Sequence, residues 1–173
     1  MIVKAILEDI TKIGKKADAI VNAANSDLRR GGEVCGSIFK AAGYELDKEC
    51  AKLGGAAPGE AKATRAYNLD NKYIIHAVGP IYDVDPTPAE TLERCYINAL
   101  KVADELGCES IAFPSISTGI YGYPHKEAAR VCAKALCNYE PKHLKRVYMC
   151  IYKDESKVKL YNDAFEAEFA KNK

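Results

Sequence analysis

Apolar and polar positions run along the chain in two alternating rhythms. Residues 2–7 (IVKAIL) and 17–23 (ADAIVNA) are short apolar runs rich in β-branched residues, separated by the turn-like KIGKK, and they predict strands. From Val34 the rhythm lengthens. Val34, Ile38, Ala42 and Leu46 recur every four residues, which predicts one helix continuing towards Leu53. After the loop GGAAPGE, residues 60–67 and 72–78 predict two strands joined through NLDN, a turn sequence.

A helix opened by Thr87 or Thr91 follows, with Leu92, Tyr96, Leu100 and Ala103 on one side and Gly107 just past its end. Strands are then expected at 110–116 and 145–152, and helices at 126–139 and from Glu155 to the last apolar residues. Strands alternating with helices predict an α/β layered fold with helices on both faces of the sheet. No repeat, low-complexity tract or linker interrupts the pattern, so residues 1–173 are expected to form a single domain.

Two loops gain meaning from this layout. Gly31–Gly36 follows the second strand and enters a helix, and Ser117–Gly122 follows the fifth strand and enters another. In α/β folds, ligands bind where the carboxyl ends of strands lead into helices. Two glycine-rich loops there, each beside a helix N-terminus, can clamp a diphosphate through backbone N–H groups and the helix dipoles. Such loops also serve simply to turn a chain, and the residues alone leave both readings open.

Charge and cysteine content narrow the setting. Twenty-five basic residues against twenty-four acidic ones leave no global field to recruit nucleic acid or a membrane. Nor is there the aromatic and basic stripe that single-strand binders use, so nucleic acid is not an expected partner. Seven scattered cysteines, without a CxxC pair, argue for reduced thiols rather than a disulfide framework. Three histidines, none at ligand spacing from a cysteine pair, argue against a structural zinc site. No run approaches the roughly eighteen apolar residues needed to cross a bilayer, and a cytoplasmic protein is expected.

Five segments then take on a collective meaning: DIT at 9–11, ADAIVNAAN at 17–25, GGEVCGSI at 31–38, IIHAVGPIY at 74–82 and SIAFPSISTGIYGYP at 110–124. Together, in this order and spacing, they resemble a macrodomain of the MacroD-type branch, which includes bacterial O-acetyl-ADP-ribose deacetylases. The resemblance implies a three-layer α/β/α sandwich around a central mixed sheet, with a cleft whose ligand is ADP-ribose and no cofactor or metal. It implies ADP-ribose, O-acetyl-ADP-ribose or ADP-ribosylated protein as partners.

Carried onto this chain, the resemblance gives Asp9 the adenine amino group, with Ile10 beside it. A carboxylate suits that donor, because charge-assisted hydrogen bonds are the stronger kind. Asn25 corresponds to the residue at the distal ribose, where an amide both donates and accepts; Asn22 is expected to be structural. Gly31, Gly32, Val34, Gly36 and Ser37 belong to one diphosphate loop, and Ser117, Thr118, Gly119, Ile120, Tyr121 and Gly122 to the other. Tyr121 would wall the distal ribose, and Tyr152, on the last strand, matches a position that stacks on adenine. His76 is expected to pack or to make a hydrogen bond rather than to act in catalysis, and His125, at a helix start, to be exposed, with approach to phosphate as its alternative. Arg29 and Arg30 have either phosphate or a protein acid as candidate partners.

The chain departs from the pattern at Glu8, which stands for a glycine, in a shortened glycine run with Arg30 at one end and Glu33 at the other, and at Cys35. Active MacroD-type enzymes carry an aspartate at the position of Cys35, assigned to positioning or activating the attacking water. A thiol titrates near ~8.5 and an aspartate near ~3.9, so cysteine does not replace that acid as a proton acceptor. Binding with weakened hydrolysis is therefore the leading expectation, with Asn25 and Cys35 at the catalytic position. The alternative is a hydrolase that removes ester-linked ADP-ribose from proteins or deacetylates O-acetyl-ADP-ribose, with a substrate phosphate or Glu33 activating water. Cys35 as a nucleophile competes with Cys35 as a small buried apolar side chain.

Overall fold

The computed structural model describes residues 1–172. Strands β1 (Ile2–Leu7), β2 (Ala19–Ala24), β3 (Ala61–Arg65), β4 (Tyr73–Val78), β5 (Ser110–Phe113) and β6 (Arg146–Ile151) form one sheet in the order β1-β6-β5-β2-β4-β3. All neighbouring pairs are parallel except β3 with β4, so the sheet is mixed. Helices α1 (Glu33–Ala42), α2 (Tyr44–Leu53), α3 (Pro88–Glu105), α4 (His125–Asn138) and α5 (Glu155–Lys171) cover it.

Side chains leave opposite faces of a strand alternately, and this splits the core in two. Ala19 and Val21 of β2 join Leu92, Tyr96 and Leu100 of α3, Leu136 of α4 and Tyr161 of α5 on one face. Ile20 and Ala24 join Ile38 and Phe39 of α1 and Leu46 of α2 on the other. Burying each such large apolar side chain contributes about 1.5–3 kcal/mol. The connection after β2 therefore runs to one face and the connection after β5 to the other, although the two strands are neighbours. A crevice opens between strands whose connections part in this way. Pairing of β2 with β5 is confined to Ala19 with Ile111 and Ile20 with Ala112, whereas β2 pairs with β4 over six positions.

Several boundaries differ from the sequence expectation. The helix expected from Val34 to Leu53 is two helices, because Gly43 takes φ 98° and ψ 175°, a conformation open essentially to glycine alone. A Cβ there would come within 2.7 Å of Asn68 Nδ2. The strand expected at 110–116 ends at Phe113, where Pro114 has no N–H to extend the ladder. Thr87, rather than Thr91, precedes α3, with Pro88 as its first residue, a position that proline suits. The last strand stops at Ile151 and leaves Tyr152 beyond it. No helix among the described residues is long and apolar enough to cross a membrane.

Candidate functional site

A cleft of about 580 Å³ lies at the carboxyl ends of β2, β5 and β6. Its walls are the loops that follow these strands: Asn25 and Gly31–Cys35 after β2, Pro114–Tyr121 after β5, and Tyr152–Asp154 after β6. Both glycine-rich loops thus meet at one site. Neither Gly32, which precedes α1, nor Pro124, which precedes α4, caps its helix through a side chain. The first N–H groups of a helix have no partner within it. Two helix N-termini therefore present unpaired donors and positive dipole ends at this crevice, an arrangement suited to an anion.

Below the first loop runs a buried polar chain. Asn22 and His76 are register partners on β2 and β4, both fully buried, on the face covered by α1 and α2. Asn22 Nδ2 lies 3.1 Å from His76 Nδ1 and 3.7 Å from Cys35 Sγ. His76 Nε2 lies 2.9 Å from Thr64 Oγ1 and 3.7 Å from Cys50 Sγ. Burial lowers the His76 pKa to about 4, so the ring is neutral at pH 7. Its expected packing role stands, with hydrogen bonds added.

Cys35 lines the cleft and is 6% exposed. Burial pushes its thiol up, against the smaller opposing effects of the Asn22 amide, the Gly31 backbone and Arg30. The sulfur lies 3.6 Å from Arg29 O, towards which it donates. It is a neutral thiol in a hydrogen-bonded seat. All seven cysteines are free.

The second loop is held from three sides. Tyr123 N donates to Ser117 O at 2.8 Å, Tyr82 N donates to Tyr121 O at 2.9 Å, and Thr118 Oγ1 donates to Ser115 O at 3.0 Å. Ser115 Oγ is 2.5 Å from Tyr161 Oη, tying the loop to α5. Ser117 takes φ 67°, a left-handed conformation unusual outside glycine. Gly79 faces it closely, since a Cβ there would collide with Ser117 Oγ and Ile116 Cγ2. Ser117 Oγ and His125 Nδ1 are buried atoms without a hydrogen-bond partner among the described residues.

Of the residues singled out in the sequence, Asn25, Gly31, Gly32, Val34, Cys35, Ser117, Thr118, Gly119, Ile120, Tyr121 and Tyr152 line the cleft. The Asn25 amide closes its own turn, accepting from Arg29 N at 3.1 Å and donating to Arg29 O at 2.9 Å. Tyr152 lies past the strand and is 60% exposed. Asp9, Ile10, Gly36, Ser37 and Gly122 fall outside the lining. Cys150, which does line the cleft, has its thiol pushed up by burial first, and then by the charges of Glu8 and Asp9. Asp9 Oδ1 accepts from Thr11 N and Oγ1, while Ile10 is buried. A Cβ on Gly36 would meet Gly31 O at 2.5 Å, so that glycine lets the first loop fold on itself. Ser37 Oγ donates to Glu33 O. Arg30 pairs with a protein acid, Asp47 of α2, at 2.8 Å.

His125, expected to be exposed, is half-buried as the first residue of α4 and lines the cleft with Asp154 and Lys157. Burial lowers its pKa, assisted by the Lys157 charge and opposed by Asp154. Gly79, Lys153 and Lys157 also line the cleft, although sequence reasoning passed over them. The apolar run before Gly79 and the helical pattern around Lys157 gave no cue to either.

Comparisons with known proteins agree with this geometry. The Macro domain family matches residues 21–132. The ADP-ribose glycohydrolase MACROD1 of Mus musculus is 45% identical over 154 residues, covering 85% of this chain and 47% of that protein. Among solved structures, the macrodomain of Oceanobacillus iheyensis with ADP superposes with a TM-score of 0.90 at 34% identity, covering 98% of this chain and 92% of that one. A Trypanosoma brucei macrodomain in complex with ADP-ribose gives a TM-score of 0.82 at 33% identity, covering 93% and 68%.

Proposed function

This chain belongs to the Macro domain family, and from that membership we propose that its cleft binds ADP-ribose, free or carried on protein, with the hydrolase chemistry of MacroD-type relatives weakened or lost. The observation that carries the proposal is the meeting of two glycine-rich loops and two uncapped helix N-termini in one crevice. A diphosphate needs several converging N–H donors, and two helix N-termini without side-chain caps, beside glycine-rich loops, offer them. The related macrodomain in complex with ADP-ribose supports the same ligand. Residues 1–173 act in this reading as a single domain.

In this arrangement the diphosphate lies between Gly31–Val34 and Ser117–Tyr121. Asn25 and Tyr121 frame the distal ribose. Tyr152 offers an exposed ring to adenine, and Asp9 accepts from the adenine amino group at the rim. The weakening of hydrolysis rests on Cys35. Its buried thiol is protonated at neutral pH and already donates to Arg29 O, so it is not a base for water.

A second reading, hydrolysis of ester-linked ADP-ribose including O-acetyl-ADP-ribose, is favoured by the likeness to MACROD1 and by the Glu33 carboxylate at the cleft. Positioning and oriented N–H groups can sustain part of a rate enhancement without a dedicated base. Titration calorimetry with ADP-ribose and a time course with O-acetyl-ADP-ribose and a mono-ADP-ribosylated protein, run on one preparation, test both readings. The expected result is binding by wild type, negligible turnover, and a gain of about a hundredfold or more in turnover for Cys35→Asp, the size of a restored acid–base contribution. Absence of binding heat would sink the first reading, and wild-type turnover equal to that of Cys35→Asp would establish the second.

A further inference from the structure

Glu33 stands out among the cleft residues. It occupies the left-handed region at φ 52°, which disfavours any residue with a Cβ. Its carboxylate reaches from the first loop across to the second. A Cβ built on Gly119 would collide with Glu33 Oε2 and come within 2.8 Å of Oε1 and 2.9 Å of Cδ. A side chain at 119 would push that flexible carboxylate out of this position. Both residues line the cleft, and Glu33 opens α1, where the positive end of the helix dipole favours an anion. A negative charge of the protein's own thus sits in the space between the two anion-binding loops.

Resting on the reading of this space as the diphosphate seat, we propose that Glu33 is a specificity-determining residue that selects diphosphates esterified at both ends over those with a free terminal phosphate. The two phosphates of ADP-ribose are joined by an anhydride and each is esterified to a ribose, so each carries one charge across the physiological range. The terminal phosphate of ADP is held only by the anhydride bridge and gains a second charge above a pKa of about 6, as singly substituted phosphates do. Coulomb repulsion grows in proportion to charge. The Glu33 carboxylate therefore opposes ADP more than ADP-ribose, although both fit the same loops. Glu33 is exposed, so water and salt moderate the repulsion, and the discrimination is strongest at low ionic strength.

The test is calorimetry with ADP-ribose and with ADP, on wild type and Glu33→Gln, at pH 7.5 and 5.5 and at low and high salt. Glutamine keeps the length and the backbone strain and removes only the charge. At pH 7.5 and low salt, Glu33→Gln should tighten ADP about 2- to 5-fold and ADP-ribose by less, the size expected for a screened, exposed charge pair. The preference for ADP-ribose over ADP should narrow by about twofold. In wild type, lowering the pH to 5.5 should narrow it as well, and this pH effect should shrink in Glu33→Gln. If ADP-ribose binds and the preference is the same in both proteins, Glu33 has no such role. A wider preference in Glu33→Gln would overturn it too. Binding of neither ligand to wild type would instead remove the diphosphate seat on which the role depends.

Discussion

Asn22 Nδ2 stands 3.1 Å from His76 Nδ1 and 3.7 Å from Cys35 Sγ, so one amide serves both the buried ring and the cleft thiol. An NH₂ group only donates, and His76 Nδ1 must therefore accept. The ring proton then sits on Nε2, 2.9 Å from Thr64 Oγ1, which in turn donates to Arg65 O at 3.1 Å. Each of these donors meets an acceptor, while Asn22 Oδ1 is buried without a partner among the described residues. Adding a proton to His76 would set two donors against each other.

The first prediction concerns acid stability. His76 has a folded pKa of about 4, below the ordinary value of 6.5, because burial opposes its charged form. Between those values the unfolded chain binds a proton that the folded chain does not, so stability falls as pH drops from about 6.5 to about 4. One such group contributes up to about 1.4 kcal/mol per pH unit, or about 3 kcal/mol across the window. Urea unfolding of wild type and His76→Asn at several pH values checks this. The variant should be less stable at pH 7.5 and show a shallower acid limb, and parallel limbs would refute the assignment.

Cys35 supplies the second. Burial raises its pKa, so at pH 7 it should react slowly with iodoacetamide, and faster as the pH rises above 9. Because it lines the cleft, saturating ADP-ribose should slow that reaction severalfold, while the fully buried Cys95 and Cys132 remain unreactive in either case. Peptide-resolved mass spectrometry follows each site. Rapid labelling of Cys35 at pH 7 would mark it as an activated thiol instead.

Gly79 supports the second loop by having no side chain. Gly79→Ala would drive a methyl group into Ser117 Oγ and Ile116 Cγ2. Overpacking of this kind costs about 1–3 kcal/mol in stability. The displaced loop should lose about tenfold or more in ADP-ribose affinity, a size in line with mispositioned binding groups. Unchanged affinity in a folded variant would mean that Ser117 and its neighbours hold no ligand.

The hydroxyl of Tyr161 reaches the same loop from the opposite side. Tyr161→Phe removes the hydrogen bond with Ser115 Oγ while preserving the ring packed against Phe165. The expected cost is about 1 kcal/mol, with a threefold or so loss of ADP-ribose affinity from a looser Ser115–Thr118 segment. Calorimetry together with thermal unfolding separates the two effects. A stability loss without any change in affinity would limit Tyr161 to the core.

Much of this was legible in the residues, for reasons that differ by element. The strands and α3–α5 announced themselves because period-2 and period-4 apolar patterns survive folding unchanged. The break at Gly43 did not, since Ile38, Ala42 and Leu46 keep their spacing across it and only the backbone dihedral reveals the turn. Tyr152 read as a strand residue because its apolar neighbours carry the pattern one position too far. Glu33 read as a departure from a glycine run, but its reach to Gly119 depends on two loops more than eighty residues apart in sequence. The dominant cue to the site was the pair of glycine-rich loops; the lysines that line it carry no pattern of their own.

The brief pairing of β2 with β5 has a thermodynamic consequence. Where two strands part, cohesion across the sheet is left unfinished, and a molecule held by the loops of both strands supplies the missing link. Such a ligand binds the folded chain and not the unfolded one, so its occupancy adds to the free energy of unfolding as the logarithm of its concentration over its dissociation constant. The seam of the sheet is thus also a gauge. The melting temperature of the protein should report how much of its cleft is filled.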